Sequence, residues 1–223
     1  MGEVVGALIP LALGIAVSPV PVGAVVLILL SPKPKGAGVA FLVGWVVGIV
    51  LAVSVFALLA GLIPATDPDA PHPVVGVAKI AIGAGLLVVA GRLWRRRPLD
   101  GVEPKQPGWM RAMSTLTTAR AGVLGFVLAA LNPVDTLIAI GAGLVIGGSA
   151  LTGGEVVTSI ALFTLVGAST VAVPVVAYLA APARMTPRLH QLHEWLVRYN
   201  VTVTIVVIIV VGVALMGKGI GDL

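Results

Sequence analysis

An aspartate at position 135 follows Asn132-Pro133-Val134 inside the apolar run from Val123 to Ile146. A carboxylate near the centre of a bilayer costs about 3 kcal/mol on insertion scales, so an acid kept there faces an interior path or a protein partner. Pro133 has no amide hydrogen and clashes with the preceding turn. A helix through it must kink or unwind, and the carbonyls it frees need partners inside the protein. The same device stands at Ser18-Pro19-Val20-Pro21, inside the apolar run from Val4 to Leu30. Two half-helix ends meeting at mid-depth would present freed backbone groups to a polar or charged ligand. Pro19, Pro21 and Pro133 make the breaks, Ser18, Asn132 and Asp135 line the site, and Asp135 is the residue to carry coupling protons. Lys79, in a third apolar run, either snorkels to the outer surface or pairs with an acid of the bundle, Asp135 being the acid inside the membrane. The plainer reading keeps the prolines as structural kinks and Asp135 as a hydrogen-bonded partner of Ser, Asn or Lys79.

The elements that must position these residues are membrane helices. The chain of 223 residues is 58% hydrophobic and 10% charged, with a mean hydropathy of +1.12, a composition foreign to soluble domains. Its apolar residues fall in six blocks, each long enough for a span of about 20 residues. The net charge of +5 and pI near 10.1 do not call for nucleic acid, because the basic residues sit in short loops that the positive-inside rule places in the cytoplasm. The absence of cysteine excludes disulfides, thiolate metal sites and thiol redox chemistry. Met1-Gly2-Glu3 lacks the basic region of a secretory signal, so the first apolar run is expected to be an uncleaved helix.

Helices are expected over about 4–30, 37–62, 74–93, 120–146, 156–179 and 201–216. Gly44 and Gly48 in the second allow close helix packing. An amphipathic surface helix is expected at 186–199, with Thr186 as cap and Pro187 at its first position. The loop with Asp67, Asp69 and His72 reads as solvated and external, and His190, His193 and Glu194 as ordinary interfacial residues; no metal site or cofactor is expected. Arg95, Arg96 and Arg97 in the basic loop are placed for anionic lipid headgroups. The fold class is therefore all-α and polytopic: six transmembrane helices form two inverted three-helix repeats, residues 1–94 and 120–223, around a cytoplasmic loop at 95–119. The first helix of each repeat is broken at proline, and both termini lie outside the plasma membrane.

Ser18-Pro19-Val20-Pro21, Leu30-Ser31-Pro32-Lys33-Pro34-Lys35, Ala40-Phe41-Leu42-Val43-Gly44-Trp45 and the stretch from Arg92 to Trp109 followed by Asn132-Pro133 together resemble the GAP or Sap family, the glycopeptidolipid- and sulfolipid-addressing proteins of the lysine-exporter superfamily. Relatives commonly read Asn-Pro-Lys-Asn where this chain has Asn132-Pro133-Val134-Asp135. The resemblance implies a six-helix exporter-like fold linked to outward movement of cell-envelope glycolipids. The expected partners are membrane lipids, a small polar or glycolipid substrate and a larger lipid exporter, with self-association into a homo-oligomer left open. The alternative is an accessory or scaffold protein of a glycolipid export machinery that passes no substrate. An enzyme is not expected: redox carriers of this kind need cysteines near the breaks, an intramembrane aspartyl protease needs a second acid, and no histidine lies in an expected span.

Overall fold

Proline sets where helices begin. Pro19, Pro34, Pro73, Pro133 and Pro182 are the first residues of five of the eight described helices, positions where the missing amide hydrogen has no intrahelical partner to lose. The computed structural model describes residues 1–62, 73–95 and 116–221, with some side chains between 73 and 86 and between 196 and 219 outside that description. All regular structure among the described residues is helical: α1 Gly2–Ala16, α2 Pro19–Leu29, α3 Pro34–Gly61, α4 Pro73–Arg95, α5 Thr118–Leu131, α6 Pro133–Gly147, α7 Gly153–Ala180 and α8 Pro182–Gly221.

Among the described residues, α3 and α7, each of 28 residues, are long and apolar enough to cross a membrane unaided. The bent pairs α1–α2 and α5–α6 do so if each counts as one span, giving up to four; the bends are 49° and 61°. Both fall at the expected prolines. The helices expected at 186–199 and 201–216 are instead continuous within α8, and Thr186 does not cap: its hydroxyl bonds the Pro182 carbonyl at 2.9 Å. No proline or glycine stands between Arg188 and Gly212 to stop the helix.

The chain divides into two compact units, one of Met1–Pro64 with Gln106–Glu194, the other of Ala65–Lys105 with Trp195–Leu223. In the second, α4 and the later part of α8 approach closely at Gly83, where a β-carbon would come within 2.6 Å of the Gly212 carbonyl oxygen.

In the first unit α3 packs along both halves of the α5–α6 pair. Lipid tails are as apolar as leucine, so helices in a bilayer associate through close packing rather than the hydrophobic effect, and small residues decide how close they come. A β-carbon on Gly44 would overlap the Gly122 carbonyl oxygen, and one on Gly125 the Phe41 carbonyl oxygen; further along, one on Gly143 would overlap Phe56 and one on Gly147 the Ala57 carbonyl. The backbone of α3 thus touches that of α5 before the break and that of α6 after it. Phe41 and Trp45, one turn apart with rings within 7° of parallel, are fully buried beside this seam. Outward faces are equally apolar, as Leu58 (71% exposed) and Leu165 (74%) show, which suits a lipid surround.

The contacts also order the unit's two ends. Gly36 meets Thr118, and Gly38 meets Leu29 and Val175, so the start of α3, the start of α5 and the ends of α2 and α7 share one end. Lys33, Lys35 and Arg120 are exposed there, with Arg184 and Arg188 just beyond α7. Met1 meets Ser159, and Gly147 meets Ala60, at the opposite end. That end carries Glu3 and Glu155, the latter closing a capping box with Thr152.

The seam generates a paired test. Gly125→Ala adds a single methyl that collides with backbone and should lower stability by at least the about 1–3 kcal/mol of ordinary overpacking. Gly6→Ala, with open space around it, should be neutral or gain up to about 1 kcal/mol from helix propensity. Thermal unfolding of the detergent-purified variants measures both; equal melting temperatures would remove the glycine seam as a determinant of the fold.

Candidate functional site

The first break begins where α1 runs out of donors. Val17 still donates to the Leu13 carbonyl at 2.9 Å and Ser18 to that of Ile15 at 3.1 Å, but Pro19 has nothing to give. In an unbroken helix the Ala16 carbonyl would take the amide of Val20. Here it accepts the hydroxyl of Thr170, from α7, at 2.6 Å. The second break is repaired locally. Asn132 still donates its amide to the Leu128 carbonyl at 3.3 Å, while its side-chain Oδ1 accepts the Val134 amide at 3.2 Å and caps α6. That removes the regular partner of the Ala130 carbonyl, which accepts the Thr136 hydroxyl at 3.0 Å instead. Each break therefore has a threonine that takes the place of a missing amide.

The two breaks meet. Ser18 is the N-cap residue of α2, yet its hydroxyl makes no cap; it donates to Asp135 Oδ2, in the first turn of α6, at 3.5 Å. That distance is the long limit of a hydrogen bond, so the carboxyl is held loosely. Asp135 is 0% exposed and Ser18 3%. The Asn132 side chain is the other polar group beside the carboxyl, and Oδ1 of Asp135 makes no hydrogen bond. Asp135 is also the only charged side chain buried among the described residues. Depth follows from helix length: the 14 residues of α5 carry the chain about 21 Å from the basic end, and the 15 of α1 about 22 Å from the acidic end, at 1.5 Å per residue. Both breaks thus lie well away from either end of the unit.

Of the residues expected to form the site, Ser18, Asn132 and Asp135 are brought together, Pro19 and Pro133 occupy first helical positions and Pro21 is buried in the first turn of α2. Pro133 is exposed and Asn132 half-buried, so the second break lies close to the protein surface, with Asp135 beneath it. Lys79 lies on α4, in the other unit, and its side chain is outside the described residues, as are Arg96 and Arg97; Arg95 is exposed at the end of α4. The loop with Asp67, Asp69 and His72 is outside them as well. No cluster of three His, Cys, Asp or Glu able to hold a metal occurs among the described residues. Burial first, and then the neighbouring His190, hold His193 below the ordinary imidazole range, with Glu194 opposing.

Sequence reasoning missed Thr136 and Thr170, and the two buried polar atoms left without partners besides the carboxyl, Trp45 Nε1 and Thr164 Oγ1. Thr136 had a signal, a hydroxyl three residues after a helix-breaking proline. Thr170 had none, since its partner lies 154 residues away.

Compared with models of known families, residues 8–221 match that of Sap, sulfolipid-1-addressing protein. The match spans both breaks and all the groups that repair them. Comparison with curated proteins and with solved structures gives no match.

Thr170 supplies the test of this repair. Thr170→Val keeps the shape but strands a buried carbonyl, at a cost of about 1–3 kcal/mol, whereas Thr170→Ser should stay within about 0.5 kcal/mol of wild type. Thr158, whose hydroxyl bonds Gly154 on an exposed turn, should tolerate the same valine. Thermal unfolding in detergent checks the three; a harmless Thr170→Val would show that the Ala16 carbonyl needs no partner.

Proposed function

The chain belongs to the Sap, sulfolipid-1-addressing protein family, and from that premise we propose that it is an exporter-like integral membrane transporter, akin to the lysine exporters, serving the export of cell-envelope glycolipids or another polar small substrate. The observation that carries this reading is the meeting of two broken helices at a buried carboxyl, Ser18 on one and Asp135 on the other. Transporters of the inverted-repeat type bind substrate and coupling ion at such mid-depth breaks, where half-helices can shift at small cost. A proton gradient is the driving force in this reading, and no covalent chemistry is involved.

The topology that goes with it has six spans, α4 and the later part of α8 joining the two straight helices and the two bent pairs, in two inverted repeats. The separation of charge supports the orientation. Lys33, Lys35, Arg120, Arg184 and Arg188 mark one end of the first unit as cytoplasmic, and Glu3 and Glu155 mark the other as external. Both termini are then outside the plasma membrane. Arg95, Arg96 and Arg97 of the basic loop serve anionic lipid headgroups in this reading. A larger lipid exporter and a second copy of the chain are the protein partners in this scheme.

Two experiments test it. Cysteines placed at Lys33 and at Gly153, both exposed, should label from the cytoplasmic and external sides respectively; labelling from one side would remove the topology. Purified protein in liposomes should move a fluorescent sulfoglycolipid between leaflets under a proton gradient. Asp135→Asn should cut that flux at least about tenfold, the order of one lost transition-state interaction of 1.4 kcal/mol, while the protein stays monodisperse. Absence of flux from the wild type, with retention on a larger lipid exporter, would make the protein a non-transporting accessory of that machinery.

A further inference from the structure

Broken membrane helices commonly offer the free amides of a half-helix N-terminus to an anion. In this protein most of those amides are missing or used, those of Val20 and Asp135 being the ones left. Of the four that open α2, Pro19 and Pro21 have no hydrogen, and that of Ser18 donates to the Ile15 carbonyl. Of the four that open α6, Pro133 has none, that of Asn132 donates to Leu128, and that of Val134 is capped by Asn132 Oδ1. The Ser18 hydroxyl is turned toward Asp135 instead of toward its own helix. An anion arriving between the half-helices would meet a carboxylate of its own sign and few donors.

What the site lacks is positive charge. Asp135 Oδ1 is buried and unpartnered. Of the carbonyls freed at the breaks, those of Ala16 and Ala130 are taken by the hydroxyls of Thr170 and Thr136, which leaves a hard metal cation fewer of the six or more oxygens it requires. A proton requires one acceptor and no cavity. We propose that the break is a proton site that excludes anions: Asp135 Oδ1 takes up one proton from water and returns it there, and the anionic headgroup of a transported lipid does not enter between the half-helices. Uptake forms one O–H bond, neutralises the carboxylate and loosens its hold on the Ser18 hydroxyl, so the two breaks gain a means of parting. This rests on the reading of the breaks as the working centre, but it concerns binding and does not require flux.

The full-length protein in detergent tests it without a substrate. With choline as the only added cation, the wild-type melting temperature should show a step with pH that Asp135→Asn lacks. An infrared difference spectrum across the step should contain a carboxylic-acid band absent from the variant. Replacing choline by sodium should leave the wild type unchanged, and sodium sulfate should act alike on wild type and variant. Should Asp135→Asn not fold, Ser18→Ala serves instead: it keeps the carboxyl, removes its donor and should shift the midpoint of the step. The proposal is overturned by a step that persists in Asp135→Asn, a midpoint indifferent to Ser18→Ala, a sodium effect specific to Asp135, or sulfate stabilising the wild type alone. Failed flux alongside an Asp135-dependent step would sink the transport reading and leave the proton site standing.

Discussion

A backbone broken inside an apolar bundle strands hydrogen-bonding groups where no water can reach them, and each such group costs several kcal/mol if left alone. The first unit is organised around that constraint. Prolines cause the breaks and at the same time remove donors, so what remains to be satisfied is mainly carbonyl oxygen, and the two threonine hydroxyls supply hydrogens at the Ala16 and Ala130 carbonyls. One repair is local, from Thr136; the other comes from α7 and ties that helix to the end of α1. Asn132 does two things at once, capping α6 with its side-chain oxygen and bringing its amide group beside Asp135. The carboxyl is left under-satisfied, with one long hydrogen bond from Ser18 and one oxygen bare.

Such a site needs a rigid neighbour, and α3 is one. It has no proline after its first residue and runs unbroken past the bend between α5 and α6, in backbone contact with both halves through Gly44, Gly122, Gly125, Gly143 and Gly147. Those contacts replace the hydrophobic force that lipid denies to helix pairs, and they fix the bent span against a straight one. A loosely held carboxyl between two half-helices, in an otherwise tightly packed unit, is the arrangement expected where small charge changes are to become movement.

Much of this was legible in the chain. Prolines in apolar runs announced both bends, because a missing donor has the same consequence in any membrane helix, and the spacing of Gly44 and Gly48 announced the close packing of α3. Ser18, Asn132 and Asp135 were readable as polar residues too deep to face lipid. The role of Thr170 was not, since a lone hydroxyl in an apolar helix bonds its own i−4 carbonyl as readily as a distant one. The junction near Tyr199 was misread for a related reason: the change from an amphipathic to an apolar pattern marks a change of surroundings, and no helix-breaking residue accompanies it. The gathering of Lys33, Lys35, Arg120, Arg184 and Arg188 near one end of the first unit was legible, because the positive-inside rule assigns the loops that carry them to the same side.

The hydrogen bond from Ser18 to Asp135 joins the two breaks. A double-mutant cycle of Ser18→Ala and Asp135→Asn, read by reversible unfolding of the purified protein, measures that directly. The two changes should be coupled by about 1 kcal/mol, the scale of a single intramolecular hydrogen bond. Additive effects within about 0.3 kcal/mol would mean that the two breaks are independent kinks and that no common site exists between them.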